Sequence, residues 1–314
     1  MQFYKVISLF IKIILLVASF CYIIHKLNTS AFLLNAGSIH FSSKFGLFLS
    51  LTVLLMFCNW SLEARKWQIL ISSCEKITWP QALQAVFTGV AVSLFTPNRV
   101  GEFAGRIFFL KKTDRITASM KSFFGSFVQL MITLVAGGIG IVLYTQRNGY
   151  QQIPLQSFLD PQKKWHLTFF ALLFLALITG VLRSSYFKKW KQQSISFLKI
   201  PTKEFFSILF FSAMRYLVFT VQFYFILLAL GMEIEFISAF MLIAVTFLIT
   251  TLIPTFALTE IVVRSAVSVS VFAAIDSSSP EVAAAAFFLL WMINLAIPAF
   301  IGSLFIGKLQ FFKA

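Results

Sequence analysis

The chain has 314 residues, of which 59% are hydrophobic and only 12% are charged, and its formal net charge is +15. Together with a mean hydropathy of +0.89, this composition excludes an ordinary soluble domain and predicts an integral membrane protein. The basic residues lie in short segments beside apolar runs, where lysine and arginine set the orientation of membrane spans. We therefore attribute the charge to topology and expect no nucleic-acid partner.

Six apolar runs are predicted to cross the membrane as helices, for which about 17 to 25 residues are needed. The first run is interpreted as a retained anchor because it is long for a signal peptide and contains Lys12. The basic segment 183–203 is expected on the cytoplasmic side, and so are both termini. The six predicted spans cover residues 6–24, 45–62, 123–144, 167–182, 205–230 and 282–306.

The segment 81–96 is too short and too polar for a comfortable span, and it stops at Pro97. If it crossed the membrane, the basic residues that follow it would lie outside, against the positive-inside rule. Pro97 and Gly101 interrupt a helix at a point where the chain can reverse. The sequence therefore predicts a re-entrant helical hairpin over about 81–110.

A second re-entrant hairpin is predicted over about 237–275. One apolar stretch stops at Pro254, another follows it, and the flanking turns "GMEIEF" and "DSSSPE" are acidic and therefore expected outside. This hairpin would enter from the opposite face. The predicted fold is a single all-α integral membrane domain over 1–314, with about six transmembrane helices and two re-entrant hairpins, an arrangement that fits an inverted repeat.

Both breaks are followed by a glutamate and an arginine four residues apart, a spacing that places the two side chains on one helical face. Such a pair can be a structural salt bridge at the hairpin tip, or it can face a substrate, because ionisable residues inside a membrane often mark a pathway. Half-helix N-termini also attract anions, and a guanidinium suits a phosphate. The predicted substrate-binding residues are Arg99, Glu102, Arg106, Glu260 and Arg264.

Arg215 is added to this set, although its position leaves two interpretations open. It lies about ten residues into its apolar segment, where its side chain can face the same cavity or extend to the cytoplasmic headgroups. The isolated polar residues Gln129, Gln222 and Asn294 are predicted to form hydrogen bonds between helices. The cysteines and histidines lack metal-like spacing, so we predict no metal and no other cofactor.

Three segments resemble a known family. "TPNRVGEFAGR" resembles the Pro-Gly-Arg-x-Gly-Glu signature of the lysylphosphatidylglycerol synthase transmembrane-region family, the flippase-like domain of the multiple-peptide-resistance factor and its stand-alone relatives. "NWSLEARKWQILI" resembles the segment before that signature, and "LIPTFALTEIVVRSAV" resembles the second proline and glutamate motif. Asn98 stands where the family pattern has a glycine. The resemblance implies a flippase-like protein of a bacterial cytoplasmic (inner) membrane.

The leading hypothesis is a lipid flippase, and not an enzyme, that moves an anionic or aminoacylated phospholipid or a lipid-linked intermediate between leaflets. One alternative is a membrane-embedded transferase acting on a polyprenyl phosphate or a lipid, with Glu102 as base. The sequence shows no metal-ligand cluster, paired aspartates or nucleotide loop in support of that enzyme. The other alternative is a non-catalytic partner of an envelope-synthesis enzyme. The oligomeric state is left open.

Overall fold

The computed structural model describes residues 41–94, 96, 101–111, 113–148, 201–253, 257–273 and 280–308. Within these ranges every regular element is helical, which confirms the predicted all-α class. Helix α8 continues through a π-helical turn, Met292–Ala296, into α9, and a 3-10 turn follows at Ile306–Lys308. The helices are α1 Phe45–Ile71, α2 Trp79–Ser93, α3 Gly101–Ile107, α4 Arg115–Asn148, α5 Thr202–Ala229, α6 Phe236–Leu252, α7 Ala257–Phe272, α8 Pro280–Trp291 and α9 Ile297–Ser303.

Four helical stretches in the described ranges are long and apolar enough to cross a membrane: Phe45–Ile71, Arg115–Arg147, Thr202–Ala229 and Val282–Ser303. They coincide with four of the six predicted spans and identify the chain as an integral membrane protein. The other two predicted spans, 6–24 and 167–182, lie outside the described residues, so the count of six stays a prediction.

Local sequence signals explain several helix boundaries. The backbone amide of Thr78 donates to the side chain of Gln81 at 2.9 Å, which forms a capping box at the start of α2. The carboxylate of Asp114 accepts a hydrogen bond from the amide of Thr117 at 3.1 Å and caps α4. Gly231 has a φ of 80° directly after α5, a conformation that glycine adopts without steric penalty.

Two contacts define one end of the bundle, which we call the Glu235 end. The amide of Ser42, just before α1, donates to the carbonyl of Ala229 at the end of α5 at 3.0 Å. Arg147 near the end of α4 lies 2.9 Å from the carboxylate of Glu235, which precedes α6. Helix α1 therefore begins where α4 and α5 end.

The opposite end, which we call the Glu75 end, is held by the loop that follows α1. The carboxylate of Glu75 accepts hydrogen bonds from the amides of Lys111 at 3.2 Å and Thr113 at 3.0 Å. Close by, Lys121 Nζ donates to Ser73 Oγ at 2.7 Å. The segment 76–110, which contains α2 and α3, therefore leaves from and returns to the same end of the bundle.

Helices α2 and α3 pack backbone against backbone through glycines. A Cβ atom added to Gly105 would lie 2.5 Å from the Cα atom of Gly89, and one added to Gly101 would lie 2.6 Å from the carbonyl oxygen of Val92. Gly101 meets Val92 and Gly105 meets Gly89, so the chain runs in opposite directions along the two helices, which are therefore antiparallel. They form a helical hairpin at the predicted position.

Helices α6 and α7 form a second hairpin from the other end. The ring of Phe236, where α6 begins, lies 5.2 Å from Tyr224, and the ring of Phe272, where α7 ends, lies 6.0 Å from Phe223. Tyr224 and Phe223 are neighbours near the end of α5, so α6 starts and α7 finishes at the same level of the bundle. The two hairpins thus start from opposite ends.

The hairpin geometry makes a topology prediction. In a background with Cys21 and Cys58 replaced, exposed Cys74 and a cysteine at exposed Lys111 should react with an impermeant thiol reagent from the same side. A cysteine at exposed Glu233, next to the Glu235 end, should react from the opposite side. Labelling right-side-out and inverted vesicles measures this. Reaction of Cys74 and the cysteine at position 111 from opposite sides would replace the hairpin with a plain span.

Candidate functional site

The centre of the site is Glu63 on α1, a carboxylate whose side chain is only 4% exposed. It binds three basic groups: Lys66 Nζ at 2.7 Å, Arg106 Nη1 at 2.7 Å, and Arg215 Nη1. These residues lie on α1, α3 and α5, so one carboxylate joins three helices. Bonds to ionised partners are among the strongest hydrogen bonds in proteins.

Sequence reasoning missed Glu63 because "EARKW" looked like a basic segment beyond the end of a span at residue 62. The helix instead continues to Ile71, with Glu63 and Lys66 buried and paired with each other inside the protein. A usable signal was present: Asn59, Glu63 and Lys66 follow each other at helical spacing and so lie on one face.

The predicted pair of Glu102 and Arg106 is present on α3. Arg106 is buried and binds both Glu102 and Glu63, and its guanidinium lies 6.0 Å from the ring of Trp67. Glu102 is more accessible, with 22% of its side chain exposed. Two carboxylates therefore hold the Arg106 guanidinium, which fixes the α2–α3 hairpin against α1.

Of the two positions open to Arg215, the structure shows the inward one. Its Nε donates to Asn59 Oδ1 at 3.0 Å, and its guanidinium lies 5.5 Å from the ring centre of Trp60. Asn59 in turn donates to Asn294 Oδ1 at 3.4 Å, which connects Arg215 to the π-helical turn. Such turns occur frequently at functional sites.

Glu63, Glu102, Lys66, Arg106 and Arg215 form a connected group that we call the Glu63 cluster. It contains two carboxylates and three cations, so its formal charge is +1. Charges withdrawn from water need nearby partners of opposite sign. The cluster therefore has one positive charge more than its own acids neutralise.

The second predicted pair, Glu260 and Arg264, is also present, on α7. Arg264 Nη2 lies 3.0 Å from Glu260 Oε1, and the glutamate is buried. The Arg264 guanidinium stands 5.9 Å from the ring centre of Phe287 on α8. This pair is neutral as a unit.

Arg215 and Arg264 line one interior cavity of about 200 Å³ between α1, α4, α5, α6, α7 and α8. Glu102 and Arg106 are not among its lining residues. The cavity wall combines polar and aromatic side chains with two leucines, Leu290 and Leu295. The polar lining residues are Asn59, Gln129, Thr133, Arg215, Thr250, Thr251, Arg264 and Asn294, and the aromatic ones are Trp60, Tyr216, Phe219, Phe247, Phe287 and Trp291.

Among the uncharged cavity-lining residues, four side-chain atoms that are buried from water have no hydrogen-bond partner in the described ranges. They are the indole nitrogens of Trp60 and Trp291, the hydroxyl of Tyr216 and Oε1 of Gln129. Leaving a buried polar atom unsatisfied costs about 1–3 kcal/mol. Since these four atoms are buried from water, the polar surface of the cavity comes from other atoms of its lining residues.

The remaining predicted residues are two glutamines, one glycine and three residues outside the described ranges. Gln129 donates to the Ser212 carbonyl at 3.1 Å and Gln222 to the Thr52 carbonyl at 2.9 Å, which are hydrogen bonds between helices as predicted. Gly101 begins α3 and packs on α2. Arg99, Pro97 and Pro254 lie outside the described residues. Within the described ranges, no three His, Cys, Asp or Glu side chains are placed to hold a metal ion.

The Glu63 cluster makes a stability prediction. Glu63→Gln removes the carboxylate shared by two buried cations, Lys66 and Arg106, and the partly buried Arg215, and should lower the free energy of unfolding by about 3–5 kcal/mol. Glu235→Gln removes the same charge from an exposed pair with Arg147 and should lower it by less than about 1 kcal/mol. Thermal unfolding of the purified protein in detergent compares the two. Equal effects would show that the cluster does not hold the helices together.

Comparison with known proteins identifies the family of this chain. The family model described as the lysylphosphatidylglycerol synthase TM region matches residues 6–302. No curated protein and no solved structure matches the chain at a significant level. The family match includes α1 to α8 and nearly all of α9. The chain belongs to the lysylphosphatidylglycerol synthase transmembrane-region family, whose description relates it to lipid handling.

Proposed function

We propose that the protein is a flippase-like translocator that moves a phospholipid or a lipid-linked anion between the two leaflets. The observation that carries the proposal is the cavity, which combines two arginines with asparagine, glutamine and threonine side chains inside a bundle of helices long and apolar enough to cross a membrane. An ion-paired interior that served only to hold helices together would not require such a cavity.

The two hairpins support re-entrance from opposite faces. At a rise of about 1.5 Å per residue, α2 with its 15 residues and α6 with its 17 are each shorter than the roughly 30 Å hydrocarbon core. Irregular backbone at membrane depth is tolerated where it lines a cavity, and paired broken helices are typical of transporters with inverted repeats. We place the Glu75 end, with Lys76, Lys111 and Lys121, on the cytoplasmic side.

In this proposal the charged residues have separate roles. Arg215 and Arg264 bind the headgroup in the cavity, and Glu63 and Glu260 hold the two guanidinium groups in position. Glu102 and Arg106 act at the α2–α3 hairpin, where the partly exposed glutamate can meet a substrate. Arg99, which lies outside the described residues, is kept from the sequence analysis as a further candidate for headgroup binding. No nucleotide or donor substrate is needed.

The proposal predicts lipid exchange by the isolated protein. In proteoliposomes containing fluorescent phospholipids, the protein should accelerate leaflet exchange, measured as dithionite quenching of inner-leaflet probe. Arg215→Gln and Arg264→Gln should each slow exchange at least roughly tenfold, because each removes a charged hydrogen bond to the headgroup. Arg147→Gln, which removes an exposed arginine at the Glu235 end, is the matched control and should leave the rate unchanged.

The outcomes separate the three hypotheses. A covalently altered lipid would indicate the transferase. Absence of exchange across a panel of headgroups, with an imposed proton gradient, would indicate a partner subunit. Exchange that is equally fast in both cavity variants would place the pathway elsewhere in the protein.

A further inference from the structure

We infer that a basic groove at the Glu75 end, between the end of α1 and the start of α5, binds the phosphate of an anionic phospholipid from the adjacent leaflet. The groove has a volume of about 730 Å³, and none of its lining residues lines the interior cavity. The inference therefore goes beyond the proposed function and does not depend on translocation. The charged residues that line the groove are Arg65, Lys76, Lys203 and Glu204.

The first observation is an excess of positive charge in the groove. Three cations and one carboxylate line it, so its formal charge is +2. The three cations, Arg65, Lys76 and Lys203, are exposed, and in the described ranges none of them forms an ion pair. Basic pockets of this kind beside membrane helices are suited to anionic lipid headgroups.

The second observation is that the groove offers donors of hydrogen bonds. Arg65 Nη1 donates to Gln68 Oε1 at 2.5 Å, and Gln68 Nε2 donates to the Ile77 carbonyl at 2.7 Å, so the guanidinium is held in place. A guanidinium has five N–H donors, and this bond uses one of them. The hydroxyls of Ser72 and Ser207 already donate to carbonyls of their own helices, at 2.7 and 2.9 Å. Most of the remaining donors belong to cations, and a phosphate is the acceptor that suits them.

The third observation is the level of the groove in the membrane. Helices α1 and α5 contain 27 and 28 residues. At a rise of about 1.5 Å per residue each is about 40 Å long, which matches a bilayer together with its headgroup regions. The ends of both helices at the Glu75 end therefore reach the headgroup region. The groove lies at the level of the phospholipid phosphates.

The fourth observation favours a lipid over a free anion. On α5 the face that begins with Lys203 continues with Phe206 and Phe210, whose exposed fractions are 60% and 57%. On α1 the face of Arg65 carries Leu54, three turns deeper in the membrane and 65% exposed. Both helices thus offer apolar surface beside the groove, toward the middle of the bilayer. Acyl chains can lie along that surface while the phosphate occupies the groove.

Protection of a cysteine in the groove tests the inference. In a background with Cys21, Cys58 and Cys74 replaced, Ser72→Cys places a thiol in the groove wall, and its rate of reaction with an uncharged thiol reagent is measured in neutral detergent. We expect dioctanoyl phosphatidylglycerol to slow the reaction at a concentration at least roughly tenfold lower than dioctanoyl phosphatidylcholine. Glu233→Cys, at an exposed position of the opposite end, is the control and should react at an unchanged rate.

Three results would count against the site. Equal protection by the two lipids, or protection by neither, would overturn the inference. Protection by inorganic phosphate at the same concentration would assign the groove to a free anion and so overturn its assignment to a lipid.

Charge variants show whether the groove causes the protection. Lys76→Gln combined with Lys203→Gln should raise the half-protecting concentration of phosphatidylglycerol at least roughly tenfold. Glu204→Gln removes the carboxylate of the groove and should lower that concentration about threefold, an effect that a general loss of structure would not produce. Arg147→Gln, at the opposite end, should leave it unchanged. The same concentration for the wild type and the double lysine variant would overturn the inference.

The exchange assay and the protection assay can fail separately. Protection without leaflet exchange would remove the proposed translocation and leave the groove as a lipid site. Leaflet exchange without protection would remove the groove site and leave the translocation.

Discussion

The structure depends on one buried carboxylate, Glu63, that holds three cations from three helices. An isolated lysine or arginine inside a bilayer is strongly unfavourable, so Lys66, Arg106 and Arg215 can stay inside only while the shared carboxylate is there. The same carboxylate fixes the α2–α3 hairpin and brings Arg215 to the cavity. Fold stability and site geometry therefore have a common origin.

The cavity follows from this arrangement. Because Arg215 is turned inward, Asn59 and the π-helical turn at Met292–Ala296 are drawn into the same hydrogen-bonded chain. The α6–α7 hairpin closes the other side with Arg264. The α2–α3 hairpin contributes no described residue to the cavity wall and is connected to it through Glu63, which binds both Arg106 and Arg215.

The hairpins and the paired charges could be predicted from sequence, because their signals are local. A proline ends an apolar run, and a glutamate four residues before an arginine shares a helical face with it, whatever surrounds the helix. Helical spacing places Glu63 on one face with Asn59 and Lys66, but its pairing with Arg106 and Arg215 could not be predicted in this way, because those two residues are distant in sequence. The inward position of Arg215 and the formation of the cavity depend on the same long-range packing. A local sequence pattern does not predict such packing.

The glycines of the α2–α3 hairpin have a consequence for how such a protein can evolve. Gly89 and Gly105 meet backbone to backbone, and a Cβ on Gly302 of α9 would overlap the carbonyl of Phe87 on α2. These main-chain contacts act together with the Arg106–Glu63 ion pair, and none of the residues involved lines the cavity. Cavity-wall residues outside the Glu63 cluster can therefore be exchanged, and the accepted molecules changed, while the contacts that place this hairpin are kept.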